Sequence, residues 1–117
     1  RMTLNVQMFI KKYILYCRID GELDQHTVES LRIRVTELID KYSIQYLVLN
    51  FKNLTFMDSS GVGFIIGRFN RLKQKKGQII LCSLNDNIKR IVYLSGLNKI
   101  CIIKNTEEEV NNYLGVA

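Results

Sequence analysis

Leu47-Val48-Leu49-Asn50-Phe51-Lys52-Asn53-Leu54-Thr55-Phe56-Met57-Asp58-Ser59-Ser60-Gly61-Val62-Gly63-Phe64 is the stretch on which the reading of the fold turns. Its opening five residues are bulky and, Asn50 apart, apolar, as in a buried strand, whereas Val62, Ile65, Ile66, Phe69 and Leu72 recur at helical spacing. Between the two periods lie an acid, two hydroxyls and two glycines. A strand that hands over to a helix at such a junction is the βα unit of a layered α/β fold. The junction places Ser59 or Ser60 at a helix entrance, where backbone N–H groups and the positive end of the dipole favour an anion.

Outward from this unit, the remaining segments fall into the same alternation. Leu4–Ile10 and Tyr13–Ile19 read as strands joined through Lys11-Lys12, and Asp20–Asp24 reads as a polar turn. A helix is expected from Gln25 or His26 to about Tyr42, with Val28, Leu31, Val35, Leu38 and Ile39 as its apolar stripe. Ile44–Phe51 is the third strand, and the glycine-interrupted helix runs from about Ser60 to Lys76, stopped by Gly77. Gln78–Cys82, Asp86–Ser95 with Gly96 as its stop, Ile100–Ile103, and a helix from Thr106 to about Leu114 complete the chain. The order β-β-α-β-α-β-α-β-α predicts an α/β domain, residues 1–117, with a mixed, mainly parallel sheet packed by four helices and an antiparallel pair at one edge.

The chain has 117 residues, 47% of them hydrophobic and 24% charged, which suits one soluble domain with a real core. Arg1 before Met2 is left out of the reading of the fold. No apolar run approaches the ~20 residues of a membrane span, and no signal peptide is recognisable at the start. Cys17, Cys82 and Cys101 are far apart in apolar runs without zinc spacing, so buried reduced thiols in a cytoplasmic protein are expected. The formal net charge of +6 is uneven: Lys52–Lys104 holds ten basic residues against Asp58 and Asp86. Much of the excess lies at Arg68, Arg71, Lys73, Lys75 and Lys76, where cations complement a helix C-terminus. No nucleic-acid signature accompanies it, so a solvated face or an acidic protein partner is the better reading.

Ser59 can be read simply as an N-cap, a role worth about 1 kcal/mol. Three observations argue for more. Three adjacent candidates are present where a cap needs one, and Gly61 and Gly63 weaken the first turn by roughly 1 kcal/mol each relative to Ala. The glycines also leave the backbone uncovered for a large partner. Asp24, after the second strand, is the candidate for a further polar group beside the serines, or the N-cap of the first helix, or both. Phe64, Gly67, Arg68 and Arg71 would continue a contact surface along the outer helix face, unless Phe64 belongs to the core. Gly63 and Gly67, on one helix face, alternatively let the helix lie close to the sheet.

Enzymatic readings fit less well. Gly61-x-Gly63-x-x-x-Gly67 departs from the dinucleotide fingerprint and is not in the first βα unit. His26 is the only histidine and no G-x-S-x-G elbow exists for a triad. A phosphoaspartyl site at Asp58 would need more acids for Mg²⁺ than Asp24 and Glu22. No metal ligand set, catalytic residue or cofactor is therefore assigned.

Gly21-Glu22-Leu23-Asp24, Leu54-Thr55-Phe56-Met57-Asp58-Ser59-Ser60-Gly61-Val62-Gly63 and Ser95-Gly96-Leu97, in that order, resemble the bacterial anti-sigma factor antagonists of the STAS domain class. The resemblance covers essentially the whole chain. Ser60 leans toward the sporulation, sigma F branch over the general stress-response branch, where threonine is common. The resemblance implies that Ser59 is the phosphoacceptor, with Asp24, Asp58, Ser60, Gly61, Gly63 and Phe64 around it. It implies binding of an anti-sigma factor that is also a serine kinase, release of the sigma factor, inactivation by phosphorylation and resetting by a PP2C-type phosphatase. On this view the chain is substrate and ligand, with no direct contact to nucleic acid or membrane. A STAS-like module that senses a small ligand or nucleotide is the alternative.

Overall fold

Strand and helix alternate as the periodicity requires. The computed structural model describes residues 3–116, so Arg1 lies outside the described residues. The elements are β1 (Leu4–Lys11), β2 (Ile14–Leu23), α1 (Val28–Lys41), β3 (Tyr46–Met57), α2 (Ser59–Lys73), β4 (Gln78–Cys82), α3 (Asp86–Leu94), a 3₁₀ turn (Leu97–Lys99), β5 (Ile102–Lys104) and α4 (Glu107–Leu114). The strands lie in the order β1-β2-β3-β4-β5, with β1 antiparallel to β2 and the other pairs parallel. The antiparallel pair is closed by Lys12 and Tyr13, with Lys12 in the left-handed region at φ 54°.

Period-two alternation decides which helix covers which face. Leu15, Cys17 and Ile19 of β2, Leu47, Leu49 and Phe51 of β3, and Ile79 and Leu81 of β4 pack with the buried stripes of α1, α2 and α3. Their neighbours Ile14, Tyr16, Val48, Ile80 and Cys82 face the other way and pack against Val110 of α4. β4 is thus buried on both faces and reads as an unbroken apolar run, as expected of a central parallel strand. The Tyr16 hydroxyl donates to Asn111 Oδ1 at 2.5 Å, and Arg18 makes a two-pronged contact with Glu107, which ties α4 to the sheet.

Two strands outrun their apolar cores. Asp20–Leu23, expected as part of a turn, continues β2, and β3 extends from Phe51 to Met57. The extensions pair with each other, with register irregularities between Arg18 and Asp20 and between Gly21 and Glu22. Gly21 has φ +116°, which explains why glycine stands there. Polar composition suggested a turn because half of each extension faces solvent, but cross-strand pairing satisfies the backbone all the same. As a result α1 begins at Val28, later than expected, and Thr27 occupies the N-cap position with no side-chain cap bond. The last strand begins at Ile102, because Leu97–Lys99 forms a 3₁₀ turn that apolar spacing did not signal. Asn85 caps α3 through Ile88 N–H at 2.9 Å while its own amide donates to Leu54 O, fastening α3 to the β3 extension. No helix among the described residues is long and apolar enough to cross a membrane.

Candidate functional site

The β2 and β3 extensions end side by side. Leu23 pairs with Met57, and Asp58 N–H donates to Leu23 O at 3.3 Å. Asp24 and Asp58 therefore leave neighbouring strands at the carboxyl end of the sheet, where open α/β folds collect their functional groups.

Asp58, not Ser59, is the N-cap of α2. Its Oδ1 accepts Ser60 N–H at 2.8 Å, and its carbonyl accepts Gly61 and Val62 N–H at 3.1 and 3.2 Å. The cap role expected for Ser59 is already filled, so Ser59 stands at the first helical position, exposed and with a hydroxyl that enters no side-chain bond among the described residues. With those three N–H groups engaged by Asp58, an anion on Ser59 gains from the dipole more than from open donors. Ser60 is half-buried behind it.

Asp24 is 3% exposed, with Oδ1 accepting His26 and Thr27 N–H at 2.8 and 3.1 Å and Oδ2 buried without a partner. It shapes the turn before α1 rather than capping the helix, and its carboxylate is turned inward. Phe64 is 3% exposed and belongs to the core, correcting its expected place on a contact surface; the Arg68 guanidinium lies over its ring at 5.6 Å.

The two glycines divide the roles given to them jointly. Gly61 is buried, and a Cβ there would lie 2.5 Å from Met57 Cγ and 3.1 Å from Leu23 Cγ. It is glycine because the helix crosses the strand ends closely, not because a partner approaches. Gly63 is exposed, and a Cβ on it or on Gly67 meets nothing within 4 Å, so these glycines face away from the sheet and do not help the helix approach it. Ser59, Gly63, Gly67 and Asn70 share one open face of α2. Ile66, 39% exposed, is an addition to that face. The signal for it was present: the core side of α2 is already filled by Phe64, Ile65 and Leu72, leaving Ile66 without an inward position.

The cysteines are all buried and unpaired in disulfides. Burial pushes the thiol of Cys17 up to about 12, that of Cys101 to about 12 and that of Cys82 to about 11. The largest cavity described, about 600 Å³, lies over the opposite face of the sheet among Gln7, Arg18, Asn50, Lys52 and Glu107, away from Ser59. No group of three or more potential metal ligands occurs among the described residues.

The family model for the STAS domain matches residues 5–110. An anti-sigma F factor antagonist of Paenibacillus polymyxa is 40% identical over 106 residues, covering 91% of this chain and 91% of that protein. The structure of the anti-sigma factor antagonist SpoIIAA in its unphosphorylated form superposes with a TM-score of 0.83 at 29% identity, covering 98% of this chain and 99% of the other. The phosphorylated form of the Bacillus cell fate determinant SpoIIAA gives 0.75 at 30% identity, covering 96% and 99%.

Proposed function

The chain belongs to the STAS domain family, and from that premise we propose that it is an anti-sigma factor antagonist of the sigma F type, switched off by phosphorylation at Ser59. The observation that carries the reading is the placement of Ser59: an exposed hydroxyl, not needed as a cap, at the entrance of a helix whose outer face is bare at Gly63 and Gly67. A relative 40% identical bears the name anti-sigma F factor antagonist, which supports the sigma F branch.

In the unmodified state the open face of α2 docks on an anti-sigma factor, which then releases its sigma factor. That partner, acting as a serine kinase, holds ATP; Ser59 Oγ attacks the γ-phosphorus, its proton passes to a base of the kinase, and the bond between the γ-phosphorus and the bridging oxygen breaks to release ADP. The product adds roughly −1.5 to −2 charge at pH 7. It stands beside the Asp58 carboxylate on the face the partner must cover. An unpaired phosphate in an interface costs more than the 0.3–1 kcal/mol or so available from the dipole at an exposed site. Because Asp58 holds the helix entrance, modification plugs the surface without refolding α2. A PP2C-type phosphatase restores the serine by hydrolysis. The chain is substrate and ligand in this cycle, and the catalysis belongs to its partners.

The test is incubation with the anti-sigma F factor of Paenibacillus polymyxa and ATP, followed by intact-mass and peptide mapping. One phosphoryl group on Ser59, absent in Ser59→Ala, is the expected result. Modification that persists on Ser60 in Ser59→Ala would overturn the choice of acceptor, and none on either serine would remove the switch.

A further inference from the structure

Beyond the serine, α2 carries a second feature, which begins on the open face at Gly67 and Asn70 and turns toward α1. From Ser59 to Lys73 the helix contains no acid, and Arg68, Arg71 and Lys73 are followed at once by Lys75 and Lys76. A shallow cavity of about 380 Å³ opens here, lined by Gly67, Asn70, Arg71 and Lys75, with Asp40 of α1 at its edge. Gly67 and Asn70 fall eight and eleven residues after Ser59, so the cavity adjoins the face that Ser59 begins.

The local charge is undercompensated. Among the described residues Asp40 is the one acid lining this cavity; it is held by a two-pronged contact from Arg71 and also attracts Lys75, which leaves two cations facing one carboxylate. Arg32 is likewise engaged by Glu29. Arg68 does not line the cavity but lies near enough to Arg71 to feel its charge; among the described residues it has no ion pair, and its Nε and one terminal nitrogen are buried with no acceptor. Burial, then repulsion from Arg32 and Arg71, holds its pKa below the ordinary arginine value. Dipole complementarity accounts for cations in the last turn but not for a guanidinium one turn earlier, two of whose nitrogens are buried without an acceptor. A positive potential over an open polar cavity favours an anionic group from outside.

We propose that this cavity seats an aspartate or glutamate side chain of the anti-sigma partner, with Lys75 and Asn70 as the contacting groups and Arg68 and Arg71 supplying the attracting charge. The inference rests on the antagonist reading and adds to it the chemistry of the partner's surface. Ser59 and Lys75 are sixteen residues apart in sequence, and at ~1.5 Å per residue the helix separates them by more than 20 Å. A phosphate on Ser59 is therefore not neutralised by this cluster. The acidic contact steers docking, and the serine vetoes it.

Titration calorimetry with the anti-sigma F factor of Paenibacillus polymyxa at low and high salt tests this. Lys75→Gln is expected to weaken binding about threefold and Lys75→Glu about tenfold at low salt, with the wild-type salt dependence visibly reduced. Lys75 is exposed, so neither change should move the melting temperature. Arg68→Gln should weaken binding and leave the fold intact, and Lys89→Gln, on α3, should change affinity less than twofold. Wild-type binding with Lys75→Glu equally tight at every salt concentration would overturn the acidic contact and leave the antagonist reading standing. Absence of wild-type binding would remove both.

Discussion

Replacing Gly61 by alanine should destabilise the domain, although a helix ordinarily prefers alanine. The added Cβ would sit 2.5 Å from Met57 Cγ, 3.0 Å from its sulfur and 3.1 Å from Leu23 Cγ, against a comfortable carbon separation of about 3.5–4.0 Å. Met57 is 2% exposed, Leu23 is fully buried, and the two are paired at the ends of adjacent strands, so neither has space to retreat. Overpacking of this kind costs about 1–3 kcal/mol. Gly61 has no positive φ to defend, so alanine recovers up to ~1 kcal/mol of helix propensity. The net expectation is a loss of about 1 kcal/mol. Gly63→Ala is the internal control: with nothing within 4 Å of its Cβ, it should gain about 0.5–1 kcal/mol. Urea unfolding followed by circular dichroism, compared at constant m, reads both. The two variants should straddle the wild type, and Gly61→Ala equal in stability to Gly63→Ala would refute the close crossing of helix and strand ends. Gly61→Lys should be worse still, so it cannot report on docking.

Asp58→Ala should lose about 0.5–2 kcal/mol by removing the α2 cap, while Ser59→Ala should stay within about 0.5 kcal/mol; thermal melts that reverse this order would return the cap to Ser59. Ser59→Asp should weaken binding to the anti-sigma factor less completely than phosphorylation, since one carboxylate has less charge and fewer acceptor oxygens, as titration of the three forms side by side will read. Glu107 has its pKa lowered chiefly by the Arg18 hydrogen bonds, against burial and with help from Asn50. Its contribution is complete above the ordinary glutamate value and is lost as pH falls through the lower folded-state value, so the stability gap between wild type and Glu107→Gln should narrow in acid; a gap that widens would contradict the pairing. Finally, the three buried cysteines should resist a thiol reagent at mildly alkaline pH and react on unfolding, because their thiols titrate near 11 to 12; rapid native-state labelling would show the strands opening.

The layer order, the antiparallel edge and the helix entrance carrying Asp58 and Ser59 were legible from the chain, because they follow from local rules: period two, period 3.6 and the preference of short polar side chains for helix starts. β4 was readable to the residue, since an unbroken apolar run between two breakers has one interpretation. Roles that depend on what a side chain meets across the fold were not legible. Asp20–Leu23 looks like a turn until β3 is seen to extend beside it, and Asp58 takes the cap from Ser59 only because the strand delivers its carboxylate to Ser60 N–H. Gly61 and Gly63 are chemically identical and two residues apart, yet 200° of helical rotation turns one into the strand ends and the other to solvent. Phe64 is drawn inward by the same rotation, and Ile66 is left outside because Ile65 and Leu72 already fill the core side. Local pattern selects the elements; the register and rotation that tertiary packing imposes select which residues are free to meet a partner.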